Sequence, residues 1–361
     1  MNCYIHIPFC RSKCGYCAFY SIPGAGEGVI DDYLSCLERS LANCKNTKPL
    51  STLYFGGGTP SLLSEKQLQR LFVAVEKLDL TSDCEISMEA NPETLSAGKI
   101  EVIKRFVNRL SCGVQSFSAQ KRLVLGRDCS DDALYRALDL IENAGFPHWN
   151  MDLIYAVPGQ SCADWEWDLN KATGFAADHV SCYNLTREEG ARLSDLQPVE
   201  DEVALQMWHL AEEVLATAGI KRYEISNYAR PGAGCRHNIN VWRGGELLAF
   251  GPSASGFDGL DRYSWASDLR SFFDGAPPEM DVITPDQRLD EIFAVNLRTT
   301  FGWTADLWNQ VPNADDWTVR RNKALKLQEE YGKKLIAVND ERIFLTGDGL
   351  LFWNSIAESL L

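Results

Sequence analysis

No apolar run in this 361-residue chain approaches the ~20 residues that cross a bilayer. The N-terminus, MNCYIHIPFC, lacks the basic stretch and long apolar core of a secretory leader. A membrane span is therefore not expected, and a reducing cytoplasm is. Positive charge is also short. The 35 Lys and Arg stand against 50 Asp and Glu, a formal net charge of −15. So acidic a chain is poorly suited to a phosphate backbone, so nucleic acid is not an expected partner. No Lys-Ser or Lys-Thr follows the glycines at 56–58, which excludes a phosphate-binding P-loop. There is no low-complexity tract and no repeat beyond a strand–helix rhythm.

Cysteine, by contrast, is plentiful at twelve residues. In a reducing compartment thiols serve as ligands or as small buried hydrophobes, not as bridges. Most stand singly in apolar stretches, as Cys84, Cys112 and Cys182 do, and read as core. Only Cys10, Cys14 and Cys17 cluster, in CRSKCGYC, a C-x₃-C-x₂-C spacing.

Seven short β-rich runs end in glycine or polar residues: 4–9, 52–59, 85–93, 109–117, 149–160, 180–190 and 222–229. Between most of them lie stretches with apolar residues three and four apart, at 30–44, 64–78, 130–145 and 203–219. Ser64 and Ser130 stand where N-caps belong, and Gly145 and Gly219 where helices stop. Strand and helix alternating every ~25–35 residues predict βα units and a parallel sheet. Six or more units in series predict an α/β fold, a complete or partial TIM-like (β/α) barrel whose chemistry sits at the C-terminal strand ends. The cysteines, GGGT, Glu89, Gln115, Asp152 and Thr186 all fall there. After about residue 260 the rhythm changes. Residues 325–361 read as helix, hairpin with a turn at Asn339–Asp340, and helix, a small α+β winged-helix-like module. The expected division is 1–260 for the barrel and 261–361 for the module, with 275–285 as a linker.

The triplet asks for a metal site with a vacancy. Zinc would want a second pair, and none follows. A thioredoxin-type pair would leave Cys10 idle. A [4Fe–4S] cubane held by three thiolates leaves one iron open to a small molecule. The motif resembles that of the radical S-adenosylmethionine (SAM) superfamily. YIHIPFC, LYFGGGTPSLL, EANPETL, RLSCGVQSF, LGR, NMDLIYAVPGQS, YEISNYARPG and RHNINVWRGG together resemble the oxygen-independent coproporphyrinogen oxidase family. Within it they are most similar to haem chaperones of the HemW type. The resemblance spans nearly the whole chain. It implies a radical SAM barrel with a [4Fe–4S] cluster on Cys10, Cys14 and Cys17, SAM on the open iron, and haem. It implies that Gly56, Gly57, Gly58 and Thr59 hold the methionyl amino group. Glu89, Gln115, Arg127, Asp152, Tyr4, Tyr16 and Thr186 match further SAM-contact positions, and Ser255 matches another by position although its side-chain type differs.

His6 reads either as a loop-bracing histidine or as a residue near the site. His237, in a glycine-rich loop with Cys235, Arg236, Trp242 and Arg243, reads either as a brace or as a group facing haem, the arginines pairing with propionates. Val241 replaces a tyrosine usual in the haem-chaperone relatives, and Asp128–Cys129 stand where those often carry histidine. Two functions follow from the resemblance. One is a haem chaperone that delivers haem to an acceptor protein. The other is SAM-dependent oxidative decarboxylation of coproporphyrinogen III. The enzymes continue the motif to a further cysteine, where this chain has Ala18 and then Phe19, and they carry a longer segment ahead of the motif. Both differences favour the chaperone. A zinc-bound barrel without radical chemistry is the third alternative. Homodimerisation and peripheral membrane contact stay open.

Overall fold

The structure is a computed structural model that describes residues 1–44, 48–186, 193, 197–259 and 261–361. The end of the run at 180–190, beyond Thr186, lies outside the described residues. Six strands follow one another with helices between them: β1 (Asn2–Ile7), β2 (Leu50–Gly57), β3 (Leu80–Ala90), β4 (Arg109–Gln115), β5 (His148–Tyr155) and β6 (His179–Asn184). All five neighbouring pairs are parallel and in chain order. The intervening helices are α1 (Glu27–Asn43), α2 (Glu65–Val75), α3 (Ala97–Ile103), α4 (Ala119–Val124), α5 (Asp131–Ala144) and α6 (Cys162–Thr173), and α7 (Asp201–Thr217) follows β6. Ser64 closes a capping box with Gln67 on α2, and Ser130 accepts from the Ala133 amide on α5. Gly145 ends α5 at φ 71°, a left-handed turn open to glycine at no steric cost.

The run at 222–229 departs from the expectation of a single strand. It forms two short antiparallel strands, β7 (Lys221–Arg222) and β8 (Asn227–Ala229), beside β6. Glu224 causes the break. Its fully buried carboxylate accepts from the Ser226 amide at 2.7 Å and Asn227 Nδ2 at 2.6 Å, folding the backbone around itself. A seventh parallel strand, β9 (Leu247–Phe250), returns to pair with β1 from the other side. Three antiparallel strands extend that edge: β10 (Ser255–Phe257), β11 (Arg262–Ser264) and β12 (Glu279–Asp281). Residues 275–285 are therefore more than a linker, since β12 belongs to the main sheet and Thr284 caps the next helix. The full order is β12-β11-β10-β9-β1-β2-β3-β4-β5-β6-β8-β7. Its two ends do not pair, so the barrel is partial.

Side-chain parity divides the sheet. On one face Phe55, Met88, Leu110, Cys112, Val114, Met151, Leu153, Val180 and Cys182 are buried in the main apolar core. On the other, Tyr54, Glu89, Ser111, Gln115, Asp152 and Ser181 line a cavity of about 610 Å³. A polar row on alternate residues of buried strands is costly unless it binds something or bonds itself.

α8 (Arg236–Trp242) lies between β8 and β9 in the chain and α9 (Leu269–Phe273) between β11 and β12, while α10 (Pro285–Asn296) follows the sheet and leads to a three-stranded sheet of 303–304, 336–338 and 342–345. Its hairpin turns at 339–341 as expected, with the Asn339 amide donating to the Arg342 carbonyl at 3.1 Å. The module is tied to the barrel through Glu224, which receives Arg298 Nη2 at 2.9 Å. Glu224→Ala removes the buried member of this pair and the acceptor of two turn bonds, so a loss of about 3 kcal/mol is expected. A urea unfolding midpoint within error of wild type would refute that.

Candidate cluster and cofactor site

The cysteine loop hangs from the end of β1 and is fixed at several points. Residues 9–10 pair in parallel with residues 22–23. The Gly15 amide donates to the Leu125 carbonyl at 3.0 Å, which ties the loop to the LGR turn. Arg127 in that turn is almost wholly buried. Its Nη2 donates to the Gly113 carbonyl at 2.9 Å and lies 3.6 Å from Glu93 Oε2, and its Nη1 points at Cys14 Sγ at 3.8 Å. Thr59 Oγ1 donates to Cys10 Sγ at 3.6 Å. All three cysteines are half-buried and line the cavity, with Tyr16 between them. Burial raises the Cys10 and Cys17 thiols above their ordinary range, so ligation of either to a metal releases a proton. Among the described residues no three His, Cys, Asp or Glu converge on a single ion. A cubane takes its thiolates at three different irons, so its sulfurs stand apart around a cluster.

The glycine run serves close packing. Gly57 has φ 107°, and a Cβ there would lie 2.4 Å from the His6 ring; one on Gly58 would lie 2.7 Å from the Phe9 carbonyl. The Gly57 amide donates to Glu89 Oε2 at 3.1 Å, and those of Gly58 and Thr59 to the Ile7 and Phe9 carbonyls at 2.8 Å each. The loop's amides are thus engaged within the protein. An ammonium group would have to be met here by acceptors.

Two such acceptors are Glu89 and Asp152. Glu89 receives Tyr54 OH at 2.9 Å as well as the Gly57 amide. Asp152 receives Ser111 Oγ at 2.9 Å and Asn150 Nδ2 at 2.8 Å. Neither is ion-paired among the described residues. Burial, and then the repulsion of Asp152, pushes Glu89 up to about 7; burial also raises Asp152. Two half-buried acids facing one cavity are the complement of a cation.

Thr186 also lines the cavity, as do Gln115 and Arg127. Tyr4, Ser255 and His237 do not. Tyr4 stands behind Tyr54 and bonds His6 Nδ1 at 3.0 Å. His6 spends its other nitrogen on the Tyr20 carbonyl at 2.9 Å, which is the bracing role. Ser255 sits on β10 with its hydroxyl exposed against Ser264 at 2.8 Å. The contacts of His237 are those of a brace. It lies in α8 and not in a loop, buried, with Nδ1 2.9 Å from Thr52 Oγ1 and its ring against Tyr54. Burial alone lowers its pKa to about 3. Cys235 is buried too, its thiol directed at Glu85. Residues not anticipated from the sequence include Arg109, Asn150 and His179, which line the cavity's inner wall. Their signal, a polar residue at every second strand position, is legible only once strand parity is known.

A model of the Radical SAM superfamily matches residues 4–172. The chain is 38% identical over 263 residues to the heme chaperone HemW of Escherichia coli (strain K12), covering 71% of this chain and 70% of that protein. It is 32% identical over 373 residues to the heme chaperone HemW of Lactococcus lactis subsp. lactis (strain IL1403), covering 100% and 97%. The chain belongs to the HemW family of radical SAM proteins. Among solved structures it is similar to coproporphyrinogen III oxidase (HemN) from Escherichia coli, with a TM-score of 0.86 at 22% identity over 99% of this chain and 89% of that one. At that identity the likeness concerns the fold.

Membership of this superfamily implies a [4Fe–4S] cluster and SAM. The residues of this HemW-family chain fit both. Three thiols stand on the rim without converging, and two half-buried acids with no ion pair among the described residues face the space where a sulfonium or ammonium would lie. Bound there, the cluster supplies one-electron chemistry at the SAM sulfonium. The chain's own part is to hold the thiols, present the carboxylates and keep bulk water from them.

Two outcomes are expected. Anaerobically reconstituted wild type holds about four irons per chain, and Cys10→Ala, Cys14→Ala and Cys17→Ala each lose the cluster and its ~400 nm absorbance. Full iron in any one of them contradicts the ligand set. A cation favours ionised Glu89, so SAM affinity rises as pH rises through about 7 and then levels. The expected gain between pH 6 and 8 is about tenfold, or about 1.4 kcal/mol, and Glu89→Gln flattens it. Equilibrium dialysis that finds the same slope in both proteins would refute the assignment.

Proposed function

We propose that this protein is a haem chaperone. On this reading it holds the cluster at Cys10, Cys14 and Cys17, SAM in the cavity, and haem that it passes to an acceptor protein. The observation that carries the proposal is similarity from end to end with a relative described as a heme chaperone, over 100% of this chain and 97% of that one. The residues assigned to SAM are Tyr16, Gly57, Gly58, Thr59, Glu89, Gln115, Arg127, Asp152 and Thr186. The cofactors belong to the barrel, whose sheet continues past residue 260 through β11 and β12, and the appended module begins with α10. His237 is assigned to bracing the barrel and not to haem iron. A cytoplasmic location is part of the same reading.

Phe19 favours the chaperone over porphyrinogen decarboxylation. It stands at the mouth of the cavity, 69% exposed, where the decarboxylating enzymes carry a cysteine. A sulfur-free aromatic ring offers neither a ligand nor a redox-active thiol at that point.

The test is a paired assay on reconstituted protein. One arm titrates haem and follows the Soret band; the other supplies coproporphyrinogen III, SAM and reductant. Haem binding with no protoporphyrinogen IX formed is the expected result. Protoporphyrinogen IX production would overturn the chaperone reading.

A further inference from the structure

Gln115 is held in an unusual way. It ends β4 at a bulge, where β4 advances two residues from Gly113 while β5 advances one. Its φ is 66°, in the left-handed region that glycine favours. A non-glycine residue stays there only where its surroundings impose it, and bulges of this kind redirect a side chain. The residue lines the cavity beside Arg127.

The turn that follows is gripped from both sides by buried charges on two different helices. From α6, Asp168 receives Ser116 Oγ at 2.7 Å and the Phe117 amide at 2.7 Å. From α4, Arg122 Nη1 donates to the Ser116 and Phe117 carbonyls, each at 2.9 Å. Its Nε donates to the Cys129 carbonyl at 3.0 Å, and Asp131 takes its Nη2. Both side chains are 1% exposed. Every polar group of the two-residue turn that these side chains can reach is therefore engaged by a fixed ionic partner. Bonds to ionised groups are about twice as strong as neutral ones, which suits them to hold a backbone out of its preferred region.

We propose that Asp168 and Arg122 are positioning residues that clamp turn 116–117 and so aim the Gln115 amide at the ligand in the cavity. The proposal rests on the reading of Gln115 as a SAM contact. Its content is a coupling: Asp168 and Arg122 act on SAM binding through Gln115, not through general stability.

A double-mutant cycle on full-length, cluster-reconstituted protein tests it, with SAM affinity read by equilibrium dialysis and stability by thermal melting. Asp168→Asn keeps the shape but turns an amide N–H or a weaker acceptor towards the turn. It is expected to weaken SAM about tenfold, as is Gln115→Ala. In the Gln115→Ala background Asp168→Asn should add less than twofold. Arg122→Lys, which loses the fork, gives a second route to the same result if Asp168→Asn is too unstable to assay. Asp164→Ala supplies the structural control. It removes one bond of the capping box of the same helix α6 and a 3.7 Å ion pair to Lys121 but no contact to turn 116–117, and should lower the melting temperature with SAM affinity within twofold. Full additivity of Asp168→Asn and Gln115→Ala, or equal SAM loss in Asp164→Ala at matched stability, overturns the clamp. Unchanged SAM affinity in Gln115→Ala alone overturns the reading on which it rests.

Discussion

The buried guanidinium of Arg127 joins parts of the chain that are remote in sequence. It bonds the Gly113 carbonyl on β4, lies against Glu93 after β3, and reaches Cys14 in the loop after β1. A planar fork with five donors suits this task, because one rigid group fixes three directions at once. The LGR turn that carries it is also bonded to the cysteine loop through Gly15. A Cβ on Gly126 would lie 2.9 Å from the Gly15 nitrogen, so the two loops meet backbone to backbone. The position of the three thiols over the cavity thus depends on a residue more than a hundred positions away. Its cost of burial is offset in part by Glu93 at 3.6 Å and by the hydrogen bond to Gly113, while its Nε has no partner among the described residues.

The interior electrostatics follow from the same design. Glu89 and Asp152 stand half-buried on the cavity wall without an ion pair among the described residues, and desolvation makes each resist ionisation. A glutamate held near 7 in the folded state and near ~4.3 when unfolded binds more protons in the fold. Its contribution to stability therefore falls as pH rises from about 4 through about 7. A cation in the cavity offsets that loss. The site is in this sense unfinished without a positively charged occupant, whereas the apolar face of the same sheet is complete in itself.

Local signals in the sequence carried far. The six βα strands, the caps at Ser64 and Ser130, the stop at Gly145 and the C-terminal hairpin follow from spacing and turn chemistry within a few residues of each position. The cysteine triplet is legible because its spacing is itself the chemistry. What failed depended on contacts across the chain. LLAF at 247–250 is too short to announce a strand, yet it pairs with β1, some 240 residues earlier. His237 has loop-like neighbours in sequence, but it lies in α8 and its spatial neighbours are Thr52, Tyr54 and Glu85. Arg122 and Asp168 carry no signal of their own in the sequence, and their bonds to the turn at 116–117 are visible only in the fold.

The central claim is that three cysteines hold a cubane with one iron left for SAM. Mössbauer spectroscopy of ⁵⁷Fe-reconstituted protein, with and without SAM, tests it most directly. One iron of the four should change its isomer shift when SAM is added, the other three staying as they were. Four irons that do not respond to SAM, or a cluster whose irons all change together, would contradict it.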